Sequence, residues 1–276
     1  MAGPDLDLLL RRVSRTFGLS LRLLPGSVRP ALSLAYLLAR ASDSIADVAT
    51  VPAAGRIALL SGLTVHWPPD ALNRLEAAEP LPSADRDLLS ALPDLLSQLD
   101  SSPDRKEIER VWATIRSGQI FDLERFEGEE PLTLDEARRY TGLVAGCVGV
   151  FWTDVCCSRV PRYSEASPES LRQLGYSFGC GLQWVNILRD RAADAAIGRV
   201  YVTAENFSAA MQLARDHLAD GARYAQAVRP RRLRAACALP LLLADRTLDL
   251  IAGNPDAPRV KVGRWFVWWA LLRALR

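Results

Sequence analysis

The sequence predicts an all-α fold built as a single domain over residues 1–276, and three observations predict it. Stretches of about 15 to 30 residues rich in Ala, Leu and Arg alternate with short Pro-bearing breaks. Sustained two-residue alternation and hairpin dipeptides such as Asn-Gly are missing. Helix starts are legible in the right places. The breaks fall at residues 51–54, 66–70, 80–83, 101–103, 128–131, 161–168 and 254–258. Between them, Tyr36-Leu-Leu-Ala-Arg40 reads as a core helix of the first third. Ser83 ahead of Asp85 starts the next readable helix. Pro103 and Asp104 open one over residues 106–117, and Thr133 with Glu136 has the spacing of a capping box. Ser167 with Ser170 begins a helix that runs to about Ala193. No fixed-period repeat or low-complexity segment interrupts this plan, and 276 residues suffice for a large buried core.

Charge and composition narrow the function classes. A net charge of +2 gives no global field for nucleic acid. The basic residues are unevenly placed: Arg229, Arg231, Arg232 and Arg234 cluster, and Arg259, Lys261, Arg264, Arg273 and Arg276 follow the last acid, Asp256. Such a segment suits a phosphate-bearing ligand, an anionic membrane surface or a solvated face. The five cysteines, an odd number without a Cys-x-x-Cys pair, read as reduced, buried thiols of a cytosolic protein. With only His66 and His217 in the chain, histidine catalysis and a histidine metal site are disfavoured. The N-terminal stretch has an early acid and no long apolar run, so no signal peptide is expected. Nothing reaches the run of about 18 uncharged apolar residues that a membrane span needs, and Trp265 to Leu272 is the nearest candidate. A cytoplasmic location is the expectation.

Two acidic clusters carry the chemistry. Asp43 and Asp47 stand four residues apart, and so do Asp190 and Asp194, which puts each pair on one helix face. Like charges there destabilise a helix unless a cation sits between them. Mg²⁺ is suited to the place, since it takes carboxylate and phosphate oxygens together. Either pair alone is commonplace on a solvated face. Both, however, end Ala/Leu-rich helices that otherwise read as core, which points to one shared cavity. Arg40, Arg189, Arg191 and Arg199 lie near in sequence and suit bidentate contacts to diphosphate oxygens. Gln183, Asn186 and Asp190 share a face with Asp194, although Asn186 can also serve as helix-packing glue.

These residues resemble a known family. Ser14-Arg15-Thr16-Phe17, the run Tyr36, Arg40, Asp43, Asp47, the run Tyr140, Val144, Gly146, Gly149, and the run Gln183, Asn186, Asp190, Asp194, Gly198, Arg199, Tyr201 are similar, in order, to the squalene/phytoene synthases. A weaker match, Lys261 with Arg264, lies near the end. The resemblance implies the terpenoid-synthase (class I isoprenoid synthase) helical fold with a central cavity. It implies Mg²⁺ held by Asp43, Asp47, Asp190 and Asp194, with Asn186 beside them. Ser14, Arg15, Thr16, Phe17, Gln183, Arg189, Arg199, Tyr201, Lys261 and Arg264 would then bind substrate. Tyr140, Tyr36 and Arg40 would act with Asp43 and Asp190 at the reaction centre. The chain departs from the family's pattern at Ala193, where a Glu is common, and at Ser44, Ile45 and Ala46, where an extra acid often sits.

By the same resemblance, two farnesyl diphosphates would be joined head to head to presqualene diphosphate and then reduced to squalene, with NADPH as hydride donor. No dinucleotide fingerprint supports NADPH, because Gly179-Cys-Gly181 lacks the third glycine and the strand–turn–helix setting. Phytoene or dehydrosqualene synthesis, a stop at presqualene diphosphate, and a non-catalytic helical assembly factor are the alternatives. Cationic intermediates would need a dry, aromatic-lined cavity, for which Phe17, Tyr36, Phe121, Tyr140, Phe178 and Trp184 are available. Ala145, Gly146, Gly149, Gly175, Gly179 and Gly181 would make room for long chains or, equally, let helices pack closely. Gln119 and Asp122 could face either the cavity or solvent. The Trp-rich segment over residues 259–276 suggests peripheral contact with the inner face of a membrane.

Overall fold

A computed structural model describes residues 6–14, 17–63, 67–128, 130–254, 257 and 260–275, and among them it contains helices and no strand. The expected all-α class is what the chain adopts. The helices are α1 (Leu6–Val13), α2 (Phe17–Leu23), α3 (Arg29–Ala46), α4 (Ala53–Gly62), α5 (Ala71–Ala78), α6 (Ser83–Ser90) and α7 (Leu92–Asp100). They continue with α8 (Arg105–Arg125), α9 (Leu134–Thr141), α10 (Cys147–Arg159), α11 (Pro168–Ala196), α12 (Phe207–Ala227), α13 (Arg231–Gly253) and α14 (Arg264–Leu275). A π-helical turn, Gly142–Gly146, joins α9 to α10 without a break.

The local rules act where the sequence places them. Thr133 accepts from the Glu136 N–H while the Glu136 carboxylate accepts from the Thr133 N–H, so the capping box at the start of α9 is complete. Arg125 adds an ion pair at 2.8 Å, and with the box's hydrogen bonds it holds the Glu136 carboxyl down at about 2. Ser167 caps α11, accepting from the Ser170 N–H at 3.2 Å, and the helix runs 29 residues to Ala196. Asp85 lies in the first turn of α6, where a negative charge meets the positive end of the helix dipole.

The longest helices, α3, α8, α10, α11, α12 and α13, surround one cavity. Close approach on one side depends on glycine. A Cβ on Gly149 would lie 1.8 Å from the Gly175 carbonyl oxygen, and one on Gly179 would lie 2.1 Å from the Ala145 carbonyl oxygen. The backbones of α10 and α11 therefore touch where only glycine fits. Close packing is what these small residues do first, although Gly149, Gly175 and Gly179 also line the cavity.

One expectation changes. By length and composition the continuous helix Leu134–Arg159 is apolar enough to cross a membrane, with a mean hydropathy of 1.4 over its best window. Its uncharged run from Tyr140 to Thr153 is longer than Trp265 to Leu272, the segment expected to come nearest to a span. Its apolar character has a local cause, since Val144, Ala145, Val148, Gly149, Phe151 and Trp152 wall the cavity. The five cysteines are free thiols, as expected, and Cys156, Cys180 and Cys237 are buried.

Candidate active site

The cavity has a volume of about 450 Å³ and two chemically different ends. Two helices show the gradient. Along α3 the lining residues run Asp43, Arg40, Tyr36, Leu32, and along α11 they run Asn186, Gln183, Gly179, Gly175. The steps of three or four residues keep each series on one helix face. The 11 residue steps from Asp43 to Leu32 correspond to a depth of about 16 Å at 1.5 Å per residue. The mouth is polar and charged. The far end is closed by Leu21, Trp152, Phe178, Tyr224, Ala236, Cys237 and Pro240.

The mouth is electrostatically frustrated. Asp43 lies in the last turn of α3, with Asp47 as its C-cap, and Asp190 and Asp194 lie near the C-terminal end of α11. Helix C-termini carry a partial negative charge, so each acid sits at the wrong end of its dipole. Asp122, 6% exposed at the end of α8, and Asp85 from α6 bring further carboxylates. The cations are arginines. Arg40 pairs with Asp43 at 3.1 Å and with Asp85 at 2.7 Å, and Ser44 donates to the same Asp85 oxygen at 3.1 Å. Arg189 pairs with Asp190. Arg199, on the loop after α11, reaches Asp47 at 3.5 Å and Asp122 at 3.7 Å, and so folds that loop over the mouth. Arg56 donates to the Ala46 carbonyl at 2.6 Å and is held low by burial and by Arg199.

Asp43, Asp47, Asp85, Asp122, Asp190 and Asp194 thus face Arg40, Arg56, Arg189 and Arg199, six acids to four cations. The consequence shows in the carboxyls. Asp43 is half-exposed at the mouth, and desolvation in the cleft and then Asp47 raise it, with Arg40 opposing. Burial and then Asp190 push Asp194 up to about 6. Burial also raises Asp122 against the pull of Tyr201 and Arg199.

A divalent cation fits this donor set, because ionising all six acids leaves an excess of negative charge that the arginines do not balance. Among the described residues no three acids, histidines or cysteines already stand as a closed cage. An open arrangement of this kind suits Mg²⁺, which takes one or two carboxylates plus substrate phosphate oxygens and water.

Below the charges lies a pair of stacked tyrosines. Tyr140 lines the cavity just before the π turn, and its ring stacks on Tyr201 with centroids 5.2 Å apart. The Tyr201 hydroxyl donates to Asp122 at 2.5 Å, and the Tyr140 hydroxyl lies beside that of Tyr201. Burial and then the Asp122 charge raise the Tyr140 phenol, so it stays protonated. Tyr36 is within hydrogen-bond reach of Ser14, whose hydroxyl donates to the Leu10 carbonyl at 2.6 Å. Asn186 donates to Gln183 at 3.3 Å. Gln119 lines the cavity as well, and its buried Oε1 has no protein partner.

Most of the sequence-predicted residues therefore gather at one place: Tyr36, Arg40, Asp43, Asp47, Tyr140, Gln183, Asn186, Arg189, Asp190, Asp194, Arg199, Tyr201 and Ser14. Arg15 and Thr16 lie outside the described residues, as does the Phe17 side chain. Lys261 and Arg264 are not brought in; both are exposed, and neither lines the cavity. Of the aromatics, Trp184 is fully buried outside the lining, and Phe121 sits under Arg139, 5.1 Å from ring centroid to guanidinium. Asp85 and Arg56 were not found from sequence. Each is a lone residue on its own helix, without motif spacing to mark it.

An all-helical isoprenoid-synthase fold with a charged mouth and an apolar interior is the class defined so far. The chain belongs to the squalene/phytoene synthase family, whose profile matches residues 10–211 and 207–266. It is 31% identical over 207 residues to a bifunctional lycopene cyclase/phytoene synthase of Colletotrichum graminicola, covering 70% of this chain and 33% of that protein. It is 24% identical over 287 residues to the squalene synthase of Schizosaccharomyces pombe, covering 92% of this chain and 60% of that one. The chain thus spans a third to three fifths of the length of these relatives. Among solved structures, TcSQS in complex with a ligand superposes with a TM-score of 0.79 at 21% identity, covering 98% of this chain and 85% of that one. Squalene synthase HpnC from Alicyclobacillus acidocaldarius gives 0.61 at 19% identity, covering 92% and 95%. Both likenesses concern the fold.

Proposed function

We propose that this chain is a Mg²⁺-dependent prenyltransferase that joins two farnesyl diphosphates head to head and carries the product on to squalene. The observation that carries the proposal is the two-ended cavity, acids and arginines at the mouth and an apolar interior about 16 Å deep. A prenyl diphosphate has the same division between an anionic head and a hydrocarbon tail.

Asp43, Asp47, Asp190 and Asp194, with Asn186 beside them, would hold Mg²⁺, which when bound neutralises diphosphate charge and makes it a better leaving group. Arg40, Arg189 and Arg199 bind the diphosphate oxygens and stabilise the negative charge that develops as the C–O bond breaks. Asp85 holds the Arg40 guanidinium in place for this. The allylic cation left behind lies among Tyr36, Tyr140, Phe151 and Phe178, whose ring faces stabilise positive charge and exclude water. Tyr140 presents a neutral hydroxyl beside Tyr201, close to the polar end. The described residues form no strand–turn–helix nucleotide cradle, so the hydride step from NADPH is assigned to no residue.

Squalene is favoured over phytoene by the extent of the similarity. Squalene synthases align with 89 to 92% of the chain, phytoene synthases with 70 to 73%. Peripheral attachment at the cytoplasmic face of a membrane belongs to the same proposal, since the product is a water-insoluble hydrocarbon. Incubation with Mg²⁺ and farnesyl or geranylgeranyl diphosphate, with and without NADPH, tests it through the product. Squalene from farnesyl diphosphate only with NADPH is the expected result. Phytoene from geranylgeranyl diphosphate, or no head-to-head product at all, overturns it.

A further inference from the structure

Helix α14 carries an unusual surface. Among the described residues, eight large hydrophobic side chains are exposed, and five belong to this one helix: Trp265 (89% exposed), Trp268 (63%), Trp269 (50%), Leu272 (62%) and Leu275 (43%). The opposite face is used for packing. Ala270 is fully buried, and Phe266, Val267, Leu271 and Ala274 pack with it against Leu239 and Leu243 of α13 and Leu19 of α2. Arg246 of α13 caps this contact, with its guanidinium 5.8 Å from the Phe266 ring centroid. The helix is therefore fixed to the body by one side and apolar on the other.

The charges around that outer face are of one sign. Lys261, Arg264 and Arg273 have no acidic partner among the described residues, and the sequence from residue 259 to 276 contains no acid. These cations do not serve the cavity, since neither Lys261 nor Arg264 lines it. Exposed tryptophans flanked by unpaired basic residues match a lipid–water interface, where indole rings settle at headgroup level and basic groups meet anionic lipid.

We propose that α14 is a docking helix for an anionic lipid bilayer, entered by Trp265, Trp268, Trp269 and Leu272 and held by Lys261, Arg264 and Arg273. Its seat in the fold gives the contact a use. Leu239 and Leu243, which carry α14, lie on the same stretch of α13 as Ala236, Cys237 and Pro240, which wall the apolar end of the cavity. A bilayer under α14 would thus lie one helix away from the hydrocarbon end and not at the charged mouth. The docking surface stands on the α14 observations alone; its use for hydrocarbon transfer rests on the proposed reaction.

The test is sedimentation of the full chain with phosphatidylcholine vesicles and with vesicles that also contain phosphatidylglycerol. Deleting α14 would bare Leu239 and Leu243, so surface variants are used. The expected result is binding to the phosphatidylglycerol vesicles, weakening as salt rises, with a blue shift in tryptophan emission. Trp265→Ser/Trp268→Ser/Trp269→Ser and, separately, Arg264→Glu/Arg273→Glu should each lower that binding by about tenfold or more. Both variants should keep the wild-type thermal midpoint, because the exchanged side chains face outward. Equal binding by wild type and variants, or binding by none, overturns the proposal. So does a lipid-independent dimer that the tryptophan variant abolishes, which would make a second copy of the chain the partner of this face. Vesicle binding needs no turnover, so a chain that docks but makes no squalene refutes only the reaction, and one that makes squalene without docking refutes this surface and the peripheral attachment while the reaction stands.

Discussion

The mouth of the cavity and its floor share helix α11 but are held together in opposite ways. At the floor the hydroxyls near the lining are matched, and the buried Trp152 indole N–H is the polar group left without a partner. Tyr224 exchanges hydrogen bonds of 2.9 Å with Thr153 and with Tyr163, and the rest of the wall is apolar. At the mouth six carboxylates crowd four guanidiniums, and two of the acid pairs sit against unfavourable helix dipoles. The floor contributes stability in the chain as it stands. The mouth costs stability until a cation and an anionic ligand complete it. Residues that serve function and residues that serve the fold should therefore separate in mutants, one class losing rate and the other losing stability.

The largest separation is expected at the aspartates. Asp43→Asn and Asp194→Asn should each lower turnover by about 10²-fold or more, the scale of losing one group aimed at developing charge. The metal-free thermal midpoint near neutral pH should stay level or rise, because each change removes a repelling charge. A fall in midpoint as large as that of a core variant would erase the distinction. Next comes Gly149→Ala, whose new Cβ meets the Gly175 carbonyl oxygen at 1.8 Å. Urea unfolding should show a loss of about 1–3 kcal/mol or more, as for overpacked sites, and unaltered stability would mean that α10 and α11 can slide apart.

The two tyrosines sharpen the comparison with a single atom each. Tyr224→Phe should cost about 1–2 kcal/mol by leaving Thr153 and Tyr163 short of a partner, with kcat nearly unchanged. Tyr140→Phe should do the reverse, slowing turnover by about tenfold or more with little change in unfolding. A Tyr140→Phe enzyme with normal rate and product would remove the hydroxyl from the chemistry.

The smallest effect is thermal and depends on pH. Asp43 and Asp194 are raised in the folded chain, so ionising them costs more there than in the unfolded chain. That cost is in force above the raised values and disappears as pH falls and the carboxyls protonate. From these groups the metal-free chain should gain stability between about pH 8 and about pH 5. Mg²⁺ should accordingly raise the midpoint more near pH 8 than near pH 5, where protons compete for the same oxygens. An equal shift at both pH values would place the cation elsewhere.

The contrast also explains what the sequence discloses. The mouth is legible because helical acids must recur at four-residue spacing to share a face, as Asp43 with Asp47 and Asp190 with Asp194 do. The capping box at Thr133 and Glu136 and the long α11 are legible for the same reason, since the rules that form them are local. The floor is not. An aromatic that walls a cavity and one that fills a core have the same neighbours in sequence, so Phe178 lines the cavity while Trp184, six residues on, is core, and Phe151, Trp152 and Tyr224 go unmarked. Asp85 and Arg56 join the mouth by tertiary packing of α6 and α4 against α3. Gln119 and Asp122, undecided on paper, turn inward because α8 packs along α3.

Calorimetric titration with inorganic pyrophosphate asks most directly whether the mouth is a cation-dependent diphosphate site. Wild-type protein should bind pyrophosphate in Mg²⁺ and lose that binding in excess chelator. Asp43→Asn and Asp194→Asn should lose it in Mg²⁺ as well, while Tyr224→Phe at the floor retains it. Equal affinity with and without divalent cation, or full affinity in both aspartate variants, would contradict the account.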